Sequence, residues 1–339
     1  MNMLPSDLAR VLGWLILDTF RQARSSRVLW FMAGLSAIAI LTCASIRIEG
    51  ASTLRRPGEI TDFVPRNDAD AQAPTRIRDG VDLPTGYISF AFGTFRVPLT
   101  RDAQDAVHFV ERILAGGVAD TAGLLLAIIW TAGFLPAFLA PGSATLMLAR
   151  PVPRAWLLVG KFAGVLVFVA AQATFLVVGT WAALGLKTGL WDPAYLLCIP
   201  LLCAQFAAFF SMSTLIASHL KGAVACALGT LLFWALCWGM NYGRHALVAL
   251  PVMAPDAAEA APPLKALAEF GYWILPKPGD LGMILSDLIG DGPQFAPIAE
   301  FDVARGLGRF HPAASVASSI IATAALLGLA ARKFRSAEY

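Results

Sequence analysis

Six stretches of this chain, residues 28–46, 121–149, 162–186, 193–218, 222–243 and 313–331, contain no Asp, Glu, Lys or Arg. Each is long enough for a helix to cross about 30 Å of hydrocarbon, which takes roughly 20 residues. In lipid the backbone polar groups must be satisfied within a helix or a closed barrel, and barrel strands are shorter and half polar. The runs therefore predict helices. A length of 339 residues would otherwise permit two soluble domains, but the chain is 57% hydrophobic and only 14% charged, with a mean hydropathy of +0.65. The expected fold is an all-α integral membrane protein forming one domain over residues 1–339, with transmembrane helices at 28–46, 117–139, 156–186, 193–217, 222–243 and 312–331.

Charge asymmetry sets the orientation. With the N-terminus inside, the cytoplasmic pieces hold eleven bases (Arg10, Arg21, Arg24, Arg27, Arg150, Arg154, Lys161, Lys221, Arg332, Lys333, Arg335) against three acids (Asp7, Asp18, Glu338), a net +8. The remaining 15 bases and 20 acids give the outer pieces −5. Short basic connectors face the cytoplasm, so both termini are expected inside and residues 47–116 and 244–311 outside. Residues 6–27, with Ser6 as N-cap, place Leu8, Val11, Leu12, Leu15 and Ile16 on one face and Arg10, Asp18, Arg21 and Arg24 towards the other. That pattern describes an amphipathic elbow helix over residues 1–27 lying in the inner interface. The apolar run after it continues to Ile46 without a small-residue cleavage site, so the first span is retained rather than cleaved as a signal peptide.

The external segments are weakly patterned. Residues 55–74 are turn-rich, Tyr87–Phe95 alternates as a short strand with Ile88, Phe90 and Phe92 on one side, and Thr100–Leu114 reads as a helix stopped by Gly116-Gly117. Asp192-Pro193 starts the fourth span with an N-cap and a proline at the first helical position. Phe270–Gly279, aromatic and then proline-punctuated, suits an interfacial or partly re-entrant element.

Several chemistries lack their residues. The five cysteines (Cys43, Cys198, Cys203, Cys226, Cys237) fall in or beside spans and form no CxxC or Cys/His cluster. The four histidines are widely spaced at boundaries or outside, offering no metal pattern, and no P-loop, HExxH or GxSxG motif occurs. The spans hold no ionisable group except Lys161 and Asp120 near their edges, which argues against an ion-coupled carrier. No internal repeat supports an inverted-repeat transporter. The polar residues Gln172, Thr174, Gln205, Ser211, Ser213, Thr214 and Asn241 are expected to hydrogen-bond between helices, and Gly160 and Gly164 form a GxxxG pattern that permits close helix approach. Lys161 reads as an interfacial lysine whose ammonium reaches the headgroups.

The connector between the second and third spans, residues 140–155, is short, basic and proline-rich, so its flanking helices are antiparallel neighbours. Pro151 and Pro153 stiffen it. Its residues Thr145-Leu146, Ala149-Arg150-Pro151-Val152 and Arg154, followed by Leu157-Leu158-Val159-Gly160-Lys161, resemble the signature of type-2 ATP-binding-cassette (ABC) exporter permeases. The amphipathic N-terminal helix, the six spans and the ending Lys333-Phe334-Arg335 extend the likeness. The chain departs from the family pattern at Ala140-Pro141, which replaces an acidic, Arg-containing stretch, and in its longer first and last external segments.

The resemblance implies a permease that pairs with a second permease subunit and with separate ABC ATPase subunits in the cytoplasmic membrane. No nucleic acid and no cofactor are expected, and without nucleotide-binding motifs the chain itself is not expected to be an enzyme. Residues 140–155 would be a coupling loop docked on the ATPase, with Thr145, Arg150, Pro151, Pro153, Arg154, Trp156 and Lys161 at that contact. Arg150 and Arg154 either pair with acids of the partner or anchor the loop against anionic headgroups, and the two roles are compatible. The rival reading is a membrane scaffold that moves no cargo; an ion-coupled carrier is a third.

Overall fold

The computed structural model describes residues 5–49, 86–99, 103–140, 153–255, 262–288 and 298–336. These described residues are mostly helical (86%). Five helical stretches are long and apolar enough to cross a membrane: Val107–Phe138, Arg154–Thr188, Pro193–Leu220, Ala223–Met253 and Pro312–Ser336. A sixth is reached when α1 (Pro5–Ser25) and α2 (Val28–Ala44) are taken as one span. The chain is therefore a multi-pass membrane protein by helix length and composition.

The pair α1 and α2 is bent by 76°. The turn is made at Arg27, whose φ of 62° puts a non-glycine residue in the left-handed region. The two helices differ as their sequences do. On α1, Leu15, Thr19 and Ala23 are fully buried while the charged face is not, whereas α2 is apolar all round and exposes Trp30, Phe31, Ile38 and Leu41.

Three short strands follow, β1 (Arg47–Glu49), β2 (Gly86–Phe90) and β3 (Phe95–Leu99), in an antiparallel sheet of order β1-β2-β3. Its Ile88 packs with Cys43, Ile46, Val110, Ala183 and Leu184 over one end of the bundle. The alternation expected through Phe95 breaks at residues 91–93, where a helical turn reverses the chain and leaves Phe92 84% exposed. The turn-rich stretch 55–74 lies outside the described residues.

The glycine pair Gly116-Gly117 does not stop its helix. From α3 (Ala103–Arg112) the chain runs through an 11-residue π-helical stretch, Ile113–Gly123, into α4 (Leu124–Thr131), and then into α5 (Phe134–Phe138). The Thr121 hydroxyl donates to the Gly116 carbonyl at 3.0 Å, spanning the five residues of the π pattern. The second span therefore carries Glu111, Arg112 and Asp120 within one continuous helical rod.

The next spans form an antiparallel relay. Helix α6 (Arg154–Thr188) leaves the connector, and a 3₁₀ turn (Pro193–Leu197) leads into α7 (Cys198–Leu220), which returns. Asp192 caps that turn as expected, its Oδ1 accepting from the Ala194 N–H at 2.9 Å with Pro193 at the first helical position. Helix α8 (Ala223–Met253) runs back alongside α7, ten residues past the predicted end at residue 243, and so takes Arg244 and His245 into the helix. The predicted external segment then folds as α9 (Pro262–Ile274), α10 (Pro278–Leu288) and α11 (Ala299–Gly306), before α12 (Pro312–Ser336).

The starts of α6 and α8 and the ends of α7 and α12 thus share one end of the bundle with α1, here the elbow end. Phe334, Leu15, Leu157 and Ala217 belong to one apolar core there. Stacked rings of Phe162, Phe206 and Phe210, with centroids 5.6 and 5.1 Å apart, continue that core along α6 and α7. The far end holds residues 188–193, the second half of α8, and α9 to α11.

Candidate functional site

Two places combine polar chemistry with defined geometry, one at each end. At the elbow end, α1 lies across the first turns of α6. A Cβ on Gly160 would stand 2.5 Å from Leu15 Cδ1, and one on Gly164 would stand 2.7 Å from Thr19 Oγ1 and 3.1 Å from the Leu15 carbonyl oxygen. The GxxxG pair is the seat of α1. Between the glycines, Lys161 is only 1% exposed. Its ammonium donates to Asp18 Oδ2 and to Gln22 Oε1, both at 2.9 Å, and lies 5.8 Å from the Phe138 ring centroid. Lys161 does not reach out to the interface: the ammonium is turned inward onto α1, because Asp18 and Gln22 supply the oxygens that headgroups or water would supply at the surface.

Of the residues the resemblance assigns to coupling, Thr145, Arg150 and Pro151 lie outside the described residues. Pro153 is exposed and extended (φ −57°, ψ 130°), Arg154 opens α6 half-buried, and Trp156 is 46% exposed. The proline before the helix fixes where α6 begins, so Arg154, Trp156, Gly160, Lys161 and Gly164 are held in register on one rigid rod.

At the far end, the wall of the bundle encloses a cavity of about 360 Å³, within the size range of small-molecule pockets. The π-helical stretch supplies Gly116, Gly117, Asp120 and Thr121; α8 supplies Trp234 and Trp238; α10 supplies Gly282, Met283 and Ser286. Gln205, Arg112, Arg305 and Asp302 complete a lining with both signs of charge. Arg305 is engaged, its Nη2 2.8 Å from Asp287 Oδ1.

Behind this cavity stands a buried network centred on Asp280, which is 0% exposed. Its Oδ1 accepts from Asn241 Nδ2 at 2.9 Å and lies 2.7 Å from His245 Nε2; its Oδ2 accepts from Tyr272 Oη at 2.6 Å and from the Ser315 hydroxyl. One carboxylate therefore ties α8, α9 and α12 to α10. Burial alone would raise the Asp280 pKa, but the bonds from His245, Ser315 and Tyr272 outweigh it and hold the carboxyl below its ordinary range. Lys277 is also fully buried, with Nζ 2.5 Å from Ser318 Oγ and 4.6 Å from the Tyr272 ring centroid. Burial first, and the nearby Arg244 charge, push its pKa down to about 8, against the opposing pull of Asp280.

Of this network only Asn241 is expected from the sequence to bond between helices. The predicted fifth span ends at residue 243, which leaves Arg244, His245 and Asp280 in the external segment and Lys277 in the interfacial or partly re-entrant element Phe270–Gly279. A signal was present. Cys226, Thr230, Cys237, Asn241, His245 and Ala249 are all buried on α8, and the last four recur every fourth residue, a helical stripe running past residue 243. The expectation that the spans hold no ionisable group except Lys161 and Asp120 is likewise corrected: Glu111 and His245 are also buried within span-length helices. The span hydroxyls behave more locally than expected. Thr174, Ser211 and Thr214 donate to carbonyls of their own helices, whereas Asn241 bonds across to α10. No protein-family model, no curated protein and no solved structure matches this chain.

Proposed function

We propose that the chain is the membrane-spanning subunit of an ATP-driven exporter, working with a separate ABC ATPase and a second permease subunit. The observation that carries this reading is the junction at the elbow end. The segment with the exporter-like sequence, residues 140–161, leads directly into the turns of α6 on which α1 is seated by Gly160, Gly164 and the Lys161–Asp18 pair. A push on this connector is transmitted to α6 and α1 together, since the buried Lys161 ammonium held by Asp18 and two close-packed glycines leave little slack between them. The ends of α6 are far apart, about 50 Å for 35 residues at 1.5 Å each. Tilting this rod moves the far end, where the mixed-charge cavity offers a place for cargo.

The scaffold reading requires no such mechanical link and no cavity. The buried Asp280–His245 contact favours an ion-coupled carrier, but that carboxylate already holds four partners, which suits a structural tie better than an ion site.

The test is co-purification with an ATPase bearing Walker motifs encoded beside this chain. Arg154→Ala with Pro153→Gly loosens the start of α6 and leaves Arg150 and Lys161 in place to hold orientation. The double variant is expected to insert normally, and to retain less ATPase or to stimulate its hydrolysis less. Wild-type binding and stimulation would show that residues 140–161 are only a loop.

A further inference from the structure

We propose that His108, Glu111 and Asp192 bind a divalent transition-metal ion of the zinc class. His108 and Glu111 sit three residues apart on α3 and so project from one face of the helix. Asp192 comes from the turn before the 3₁₀ helix that opens the fourth span. Each residue brings one potential ligand atom, and the three atoms lie within 4.8 Å of one another. Two carboxylates and an imidazole converge here from elements more than eighty residues apart in sequence.

The group is not explained by the bonds it makes. Glu111 is only 1% exposed, and its Oε2 is buried with no hydrogen-bond partner. His108 Nε2 stands 3.9 Å from Asp192 Oδ2, beyond hydrogen-bond distance. Asp192 is otherwise fixed: Trp181 Nε1 donates to its carbonyl at 2.8 Å, and the Ala194 N–H holds Oδ1 at 2.9 Å. Only Oδ2 is left to turn towards the histidine. A buried carboxylate oxygen facing a second carboxylate is costly unless the carboxyl takes up a proton or a cation sits between them.

The spacing fits a small ion. Zinc binds imidazole nitrogen and carboxylate oxygen at about 2.0–2.2 Å, so ligand atoms around a tetrahedral ion are roughly 3.4 Å apart. Side-chain rotations of a few tenths of an ångström to about 1 Å bring the observed 3.9 Å separation and its neighbours to that distance. An imidazole in a set of only three protein donors favours zinc or cobalt over calcium or magnesium. His108 and Asp192 remain 18% and 20% exposed, which leaves an entry path and room for water as the fourth ligand. Such an ion would pin α3 to the turn before the fourth span.

The test uses the full chain purified in detergent and stripped with a chelator. Equilibrium dialysis against Zn2+ should give one ion per chain, and Zn2+ should raise the midpoint of thermal unfolding while equimolar Mg2+ or Ca2+ does not. Glu111→Gln and His108→Ala should each weaken zinc binding by at least roughly a hundredfold, as loss of a ligand exceeds the loss of a supporting contact. Cobalt spectroscopy of the wild-type chain guards against a variant that fails to fold: bound Co2+ should show visible bands of a low-coordinate N/O site. No stoichiometric zinc, an unchanged affinity in a folded variant, or an equal response to Mg2+ would each overturn the proposal.

Discussion

Lys161 shows how one residue decides what a neighbouring helix can do. Its charge is buried while its partner Asp18 keeps a side chain 36% exposed, so removing the two groups has unequal consequences. Asp18→Ala leaves an ammonium buried with Gln22 alone, at a cost of about 1–3 kcal/mol once partial solvent screening is allowed for. Lys161→Met removes the charge, keeps the volume and leaves Asp18 free to hydrate, so it should cost less than Asp18→Ala. Thermal unfolding in detergent checks the order, and a larger loss for Lys161→Met would refute it. Lys277 makes a second residue-scale prediction through its lowered pKa. Between about pH 8 and its ordinary value of 10.5 the unfolded chain binds the proton and the folded chain has lost it. Stability contributed at this site therefore rises with pH across that window, by up to about 1.4 kcal/mol per unit. Measured against Lys277→Met, wild-type protein should gain stability from about pH 7.5 to about pH 9.5. A difference that stays flat or falls with pH would show that the buried ammonium carries no penalty.

At the scale of elements, the seat of α1 on α6 rests on Gly164 more than on Gly160. The obstruction at Gly160 is the flexible end of Leu15, whereas Gly164 faces the backbone of α1 itself. Gly164→Leu should therefore displace the elbow helix and cost about 1–3 kcal/mol by overpacking, while Gly160→Ala is milder. Protease sensitivity of α1 in the two variants reads the difference, and equal behaviour would mean that the helices do not meet there. This contact was half legible in the sequence: GxxxG announced a close approach, but nothing in one chain's pattern says which helix makes it. The span cores were legible because charge-free runs have no other way to be satisfied in lipid, and Asp192-Pro193 because its capping chemistry is local. What could not be read was decided by tertiary contact. Gly116-Gly117 looked like a stop, yet neighbours on both sides carry the helix through them as a π-helical wall of the cavity. Asp280 looked like a loop acid because its four partners come from three separate helices, spread across 75 positions from Asn241 to Ser315.

For the whole molecule the decisive question is which end faces the cytoplasm. The relay of helices places α1, the start of α6, the turn between α7 and α8, and the end of α12 together. That grouping makes the membrane orientation a single choice, since fixing any one of these four segments fixes the others. Arg24, Arg27, Arg154, Lys221, Arg332, Lys333 and Arg335 lie at this end with Asp18, whereas at the other end Glu269, Glu300 and Asp302 are mixed with Arg244, Lys265, Arg305 and Arg309. Under the proposed function, the positive-inside rule predicts that this end faces the cytoplasm, which would leave Pro153, Arg154 and Trp156 open to the proposed ATPase. Reporter fusions after Ala337, within residues 142–153 and within residues 218–222 should all report cytoplasm, and fusions near Ala69 and Pro262 should report the outside. The 142–153 fusion is the sharpest, because an external signal there would carry the whole elbow end outward and leave the exporter reading without a place to receive ATP-driven motion. A split result, with 142–153 inside but 218–222 outside, would contradict the helix relay itself: α6 and α7 are both span-length, and two crossings must return the chain to the side it left.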